Sequence, residues 1–120
     1  MTSSRDYLLD MLTYIEYLEA FSAEGRKVID EDIKTQLAIQ KAYEVIGEIA
    51  KRLPDELLDH QPQIRWKDLK GFRDVLIHQY GDIDVEIVWE AIEDLPNLRT
   101  AVESLIAILD QDTSGGSDFR

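Results

Sequence analysis

The stretch from Asp30 to Leu53 restricts the fold more than any other. Ile33, Leu37, Ala38, Tyr43, Val45, Ile46, Ile49 and Leu53 recur at helical spacing, and no proline interrupts them before Pro54. The stripe is wide, so this helix is expected to be covered on more than one side. Such coverage calls for other helices around it. The expected fold is all-α, an up-and-down helical bundle of four main helices plus a short one.

The remaining segments supply those neighbours. Ser3 or Ser4 can cap a first helix from about Arg5 to Ser22, with Asp6 in its opening turn. Leu8, Met11, Leu12, Ile15, Leu18 and Phe21 follow helical spacing, while Tyr7, Tyr14 and Tyr17 broaden the apolar surface enough for two neighbours or a second subunit. Ser22 to Lys27 is a break, after which Asp30 reads as the N-cap of the long helix. Pro54 opens a turn or two of helix to Asp59, and Pro62 closes it. A further helix starts at Ile64 or Arg65, with Trp66, Leu69, Phe72, Leu76 and Ile77 inward. Gly71 inside it costs about 1 kcal/mol relative to alanine, which a close approach by a neighbouring backbone or by substrate would justify. Asp82 and Asp84 compete to cap the last helix, Val85 to about Asp110, which Pro96 must kink or split; Trp89 is placed near the helix before it. Residues 1–110 thus form one domain, and 111–120 have the composition of a disordered tail. There is no internal repeat, glycine-rich phosphate loop or strand pattern.

Composition narrows the function classes. The chain has 120 residues, 44% of them apolar, and no cysteine, so a disulfide framework and a thiolate metal site are excluded. Charges interrupt every apolar run well before the roughly 18 residues a membrane span needs, and a cytoplasmic location is expected. Asp30, Glu31 and Asp32 read as charges at a helix N-terminus, and Asp55, Asp59 and His60 as a surface loop. Neither a metal nor a cofactor is expected. The net charge of −12 argues against a protein that coats nucleic acid through its whole surface. Between residues 61 and 80, however, Arg65, Lys67, Lys70 and Arg73 face only Asp68 and Asp74, a local +2 that leaves −14 for the rest. One basic island on an acidic body suits local capture of an RNA strand, with Arg65, Lys67 and Lys70 as candidate contacts.

The segment Gly71–Gly81 gathers unlike chemistries. Arg73 offers a fixed cationic fork, His78 titrates near neutrality and Tyr80 carries a phenol, within about two helical turns. That is a toolkit for a phosphodiester. A regular helix would place His78 roughly 140° round from Arg73, so the two do not aim at one atom unless the helix frays before Gly81 or a second subunit supplies the missing group. The plainer reading is a salt-bridged arginine, a helix-terminal histidine and a rim tyrosine.

Arg73-Asp74-Val75-Leu76-Ile77-His78-Gln79-Tyr80 resembles the Arg-X4-His-X-Tyr motif of HepT toxins, a branch of the HEPN superfamily of small helical ribonucleases. Asp74 matches the polar residue that follows the arginine there, and the flanking Gly71-Phe72 and Gly81-Asp82-Ile83-Asp84 also look like that branch. The likeness spans roughly residues 5 to 110. It implies a homodimeric, HEPN-like RNA endonuclease with catalytic Arg73 and His78, supported by Asp74 and Tyr80. It also implies a type VII-like toxin-antitoxin pair, in which an MntA-type nucleotidyltransferase attaches AMP to Tyr80. A reading from another class is a non-catalytic docking or substrate-binding subunit of a minimal nucleotidyltransferase.

Overall fold

Residues 2–72 and 84–118 are described in the computed structural model, 112–118 by backbone alone. Every regular element among them is a helix: α1 (Ser4–Ser22), α2 (Arg26–Glu31), α3 (Ile33–Arg52), α4 (Asp55–Leu58), α5 (Trp66–Lys70), α6 (Val85–Glu93) and α7 (Leu95–Asp118). No helix among the described residues is long and apolar enough to cross a membrane.

Ser3 caps α1 through a reciprocal box: its hydroxyl accepts from the Asp6 N–H at 3.1 Å, and Asp6 accepts from the Ser3 N–H at 3.4 Å. The helical spacing then puts Leu8, Met11, Ile15 and Leu18 on one buried face. α1 packs against α3 and α7, so this face meets a core that includes Ile39, Ala42 and Ile46 of α3 and Leu98, Val102 and Leu105 of α7. Each fully buried aliphatic side chain of this kind contributes about 1.5–3 kcal/mol. Two ion pairs mark the direction of packing. Arg5 meets Asp110 at 2.7 Å and Arg99 meets Glu19, so the start of α1 lies beside the later part of α7.

The long helix expected from Asp30 to Leu53 is two helices. α2 already starts at Arg26, after Gly25 turns the chain at φ +94°, and Asp32 separates it from α3 in an extended conformation. Gln36 accounts for the break: its side-chain amide donates to the carbonyls of Ile29 and Asp30 at 2.9 and 3.1 Å, satisfying groups at the end of α2. The Thr35 hydroxyl donates to Asp32 at 2.6 Å and holds that carboxyl below its usual range. Its contribution to stability is therefore present at neutral pH and is lost as pH falls through the lowered folded value.

Helix α3 packs against α1, α2 and α5, as its wide stripe led us to expect, but its coverage is incomplete. Ile33 is 60% exposed and Leu37 55%, and Tyr17 of α1 is 47% exposed, so both helices keep large apolar side chains in the open.

Asp84 caps α6, accepting from the N–H groups of Glu86 and Ile87 at 3.1 and 3.3 Å. Pro96 does split the last helical stretch, with Asp94 between α6 and α7. Proline sits in the first turn of α7, where its missing N–H leaves no intrahelical bond unmade. At the other end α7 does not stop near Asp110 but runs on to Asp118, through the segment whose composition reads as a disordered tail. It passes through Gly115 and Gly116 on the way.

Candidate active cleft

Helix α5 is the element that delivers the chain to the segment from Arg73 onward. Trp66 anchors its start, buried to 8% exposure, with its indole N–H donating to the Gln61 carbonyl at 3.0 Å. Leu69 packs against the core from the same side. Gly71 ends the helix, and the ring of Phe72 then meets Tyr43 of α3 edge-on, with centroids 4.9 Å apart at 73°.

The glycine that permits a close approach is Gly47, in the middle of α3. A Cβ there would lie 2.8 Å from the Leu69 carbonyl oxygen and 3.5 Å from that of Lys70. No side-chain rotation relieves such a contact, because the obstructing atom is backbone. Among the described residues a Cβ on Gly71 would meet nothing nearer than the Lys67 carbonyl oxygen at 3.9 Å, so the close approach of a neighbouring backbone is seen at Gly47.

Tyr43 is buried, and its hydroxyl has no hydrogen-bond partner among the described residues. Burial first, and the Asp94 charge second, push the phenol above its ordinary pKa, so it stays protonated. Its ring, packed on Phe72, carries its structural role. Tyr43→Phe is expected to leave stability within about 1 kcal/mol of wild type, or to raise it, because an unpaired buried hydroxyl is removed. Urea unfolding measures this.

Where α5 ends against α3, a cleft of about 400 Å³ opens, lined by Tyr43, Glu44, Gly47, Glu48, Lys51, Lys70 and Gly71. Lys70 pairs with Asp55 of α4 at 3.2 Å, and Lys51 with Glu48 at 2.9 Å. Of the three cations singled out as RNA contacts, only Lys70 lines this cleft. Arg65 is 85% exposed and pairs with Asp68 at 2.7 Å, and Lys67 is exposed. Lys51 and Gly47 were not legible as site residues, although a glycine within an unbroken helical run is the same signal that drew attention to Gly71.

Arg73, Asp74, His78 and Tyr80 lie outside the described residues, as does Asp82. The described residues flanking them are held: Phe72 by Tyr43, and Asp84 by its cap on α6. Trp89 has the Arg26 guanidinium of α2 5.6 Å from its ring centroid, while the motif helix expected beside it lies outside the described residues. His60 is exposed after α4, and no group of three or more His, Asp or Glu side chains among the described residues is placed to hold a metal ion.

Comparison with known proteins gives this layout a context. The chain is 38% identical over 108 residues to a protein of Thermococcus cleftensis named as a probable ribonuclease HepT, covering 86% of this chain and 96% of that one. It is 37% identical over 106 residues to a protein of Methanocaldococcus jannaschii named as an RNase candidate, covering 85% and 86% respectively. A third relative, named as an RNase candidate of Caldanaerobacter subterraneus, is 32% identical over 108 residues, covering 88% and 96%. No solved structure matches. The family model described as Ribonuclease HepT-like matches residues 11–105, nearly the whole helical body, and the chain belongs to that family of ribonucleases.

Proposed function

We propose that this chain is the toxin of a type VII-like toxin-antitoxin pair, a metal-independent RNA endonuclease whose active cleft is completed by a second copy. The observation that carries the reading is the sequence Arg73-X4-His78-X-Tyr80, which begins immediately after the α5 end that Gly47 and Tyr43 seat against α3. Transesterification needs a base, an acid and positive charge. A neutral His78 takes the proton from a 2′-hydroxyl, the 2′-oxygen bonds to phosphorus, and the bond to the 5′-oxygen breaks. The imidazolium of the second copy's His78 protonates the departing oxygen, leaving a cyclic phosphate and a 5′-hydroxyl. Arg73 side chains clamp the phosphate with paired N–H donors, and Asp74 supports the site.

Each chain has one histidine in the motif, so the acid–base couple needs two copies. The exposed Tyr17, Ile33 and Leu37 support the dimer, being apolar surface that one copy leaves open. Arg73→Ala and His78→Ala are each expected to lower cleavage of single-stranded RNA about 10²–10⁴-fold, with activity unaffected by chelator. Cleavage that survives both substitutions removes the proposal, and loss in chelator replaces its chemistry with a metal-assisted one.

An MntA-type nucleotidyltransferase antitoxin would silence the enzyme by attaching AMP to Tyr80. Each added phosphodiester brings negative charge and bulk beside the motif, repelling substrate phosphate. Tyr80→Phe is expected to remain toxic in the presence of the antitoxin and to gain no mass; neutralisation without modification would contradict this.

A further inference from the structure

We propose that the cleft between α3 and α5 is a subsite for the RNA backbone, with Lys51 and Lys70 contacting phosphates beside the one that is cut. This rests on the ribonuclease reading above and adds Lys51, on a helix distant in sequence from the motif. Lys51 rises from α3 and Lys70 from α5, so the two side chains line one cleft from both walls. Gly71, which lines the cleft, precedes Arg73 by two residues in the sequence, so chain connectivity keeps the start of the motif within a few ångströms of the cleft.

Glu44 and Glu48 stand in the same cleft and oppose an anion there. The Lys51–Glu48 pair is exposed, 51% and 57% by side chain, and bonds neighbouring turns of one helix. Such pairs are weak and exchange readily, so Lys51 is available to a phosphate, and the Glu48 carboxylate acts as a brake on affinity. Lys70 is less exposed, at 26%, and is tied to Asp55, which orients it. The assignment therefore makes predictions of opposite sign for two adjacent side chains. A helix-stabilising ion pair would give the same sign for both.

The probe is a short single-stranded 2′-O-methyl oligoribonucleotide, which binds without being cut, followed by fluorescence anisotropy over a range of salt; cleavage of the ordinary RNA is measured in parallel. Lys51→Met is expected to weaken binding several-fold and to flatten the logarithmic salt dependence by about 0.7, the value for one phosphate contact to a single strand. In cleavage it raises KM with kcat nearly unchanged, and Lys51→Arg restores most of the loss. Glu48→Gln is expected to tighten binding, whereas Glu24→Gln, an equal change of charge between α1 and α2, leaves it nearly unchanged. RNA that is cut normally while Lys51→Met and Glu48→Gln have no effect, or effects of one sign, overturns the subsite alone. Binding with the expected opposite signs but no cleavage of ordinary RNA retains the subsite and overturns the nuclease reading. Absence of both binding and cleavage overturns both.

Discussion

Gly47→Ala is expected to lower stability by about 1–2 kcal/mol and RNA cleavage about tenfold or more. An added methyl would lie 2.8 Å from the Leu69 carbonyl oxygen, inside any tolerable contact, and neither atom has a torsion with which to escape. Alanine gains about 1 kcal/mol of helix propensity over glycine, which offsets part of the overpacking but does not relieve the contact. The end of α5 must therefore move, carrying Gly71 and Phe72 and loosening the edge-on contact with Tyr43. Everything from Arg73 onward starts from that displaced point, and misplacement of about 1 Å in a reacting group can lower a rate about a hundredfold. Gly71→Ala is the control, since among the described residues its Cβ would meet nothing nearer than 3.9 Å and its φ of −100° suits any residue. Urea unfolding and cleavage of one RNA, measured on both variants, decide the matter. Equal behaviour of the two would mean that the Gly47 contact does not position the motif.

Mixing wild type with an excess of His78→Ala is expected to suppress cleavage far below the proportion of wild-type chains. If one imidazole serves as base and its counterpart as acid, a mixed pair lacks one of them. Active pairs then scale with the square of the wild-type fraction, so equal mixing leaves about a quarter of the activity after subunit exchange. A self-sufficient chain would instead leave about half. The measurement is a titration of cleavage rate against mole fraction after co-refolding; a straight line would sink the shared-site mechanism while leaving a single-chain nuclease standing.

How far the chain could be read in advance depended on whether a feature was local. Ser3 with Asp6, Pro54 and Pro96 act on their own turns, and each was legible in position and role. The break between α2 and α3 was not, because Asp30, Glu31 and Asp32 are all adjacent carboxylates, and it is Gln36 that chooses among them by bonding the carbonyls of Ile29 and Asp30. The motif was legible because Arg73, His78 and Tyr80 lie within one short stretch. The cleft at the end of α5 was not: Gly47 reaches the backbone of Leu69 and Lys70, and Lys51 comes to line a cleft with Lys70 and Gly71, only through the packing of α3 on α5, across a separation that no local pattern encodes. A penalised glycine was the available signal, and the chain has one on each side of that contact.

The two ion pairs between α1 and α7 have a consequence for topology. Along α1 the cation, Arg5, precedes the anion, Glu19; along α7 the cation, Arg99, likewise precedes the anion, Asp110. Laid head to tail, as observed, each meets its opposite. Turned to run the same way, the helices would set guanidinium against guanidinium and carboxylate against carboxylate. Apolar stripes alone fit either orientation tolerably, so these four side chains, one pair exposed and the other partly buried, act as a polarity key for the first and last helices of the bundle, and concentrated salt would dull it.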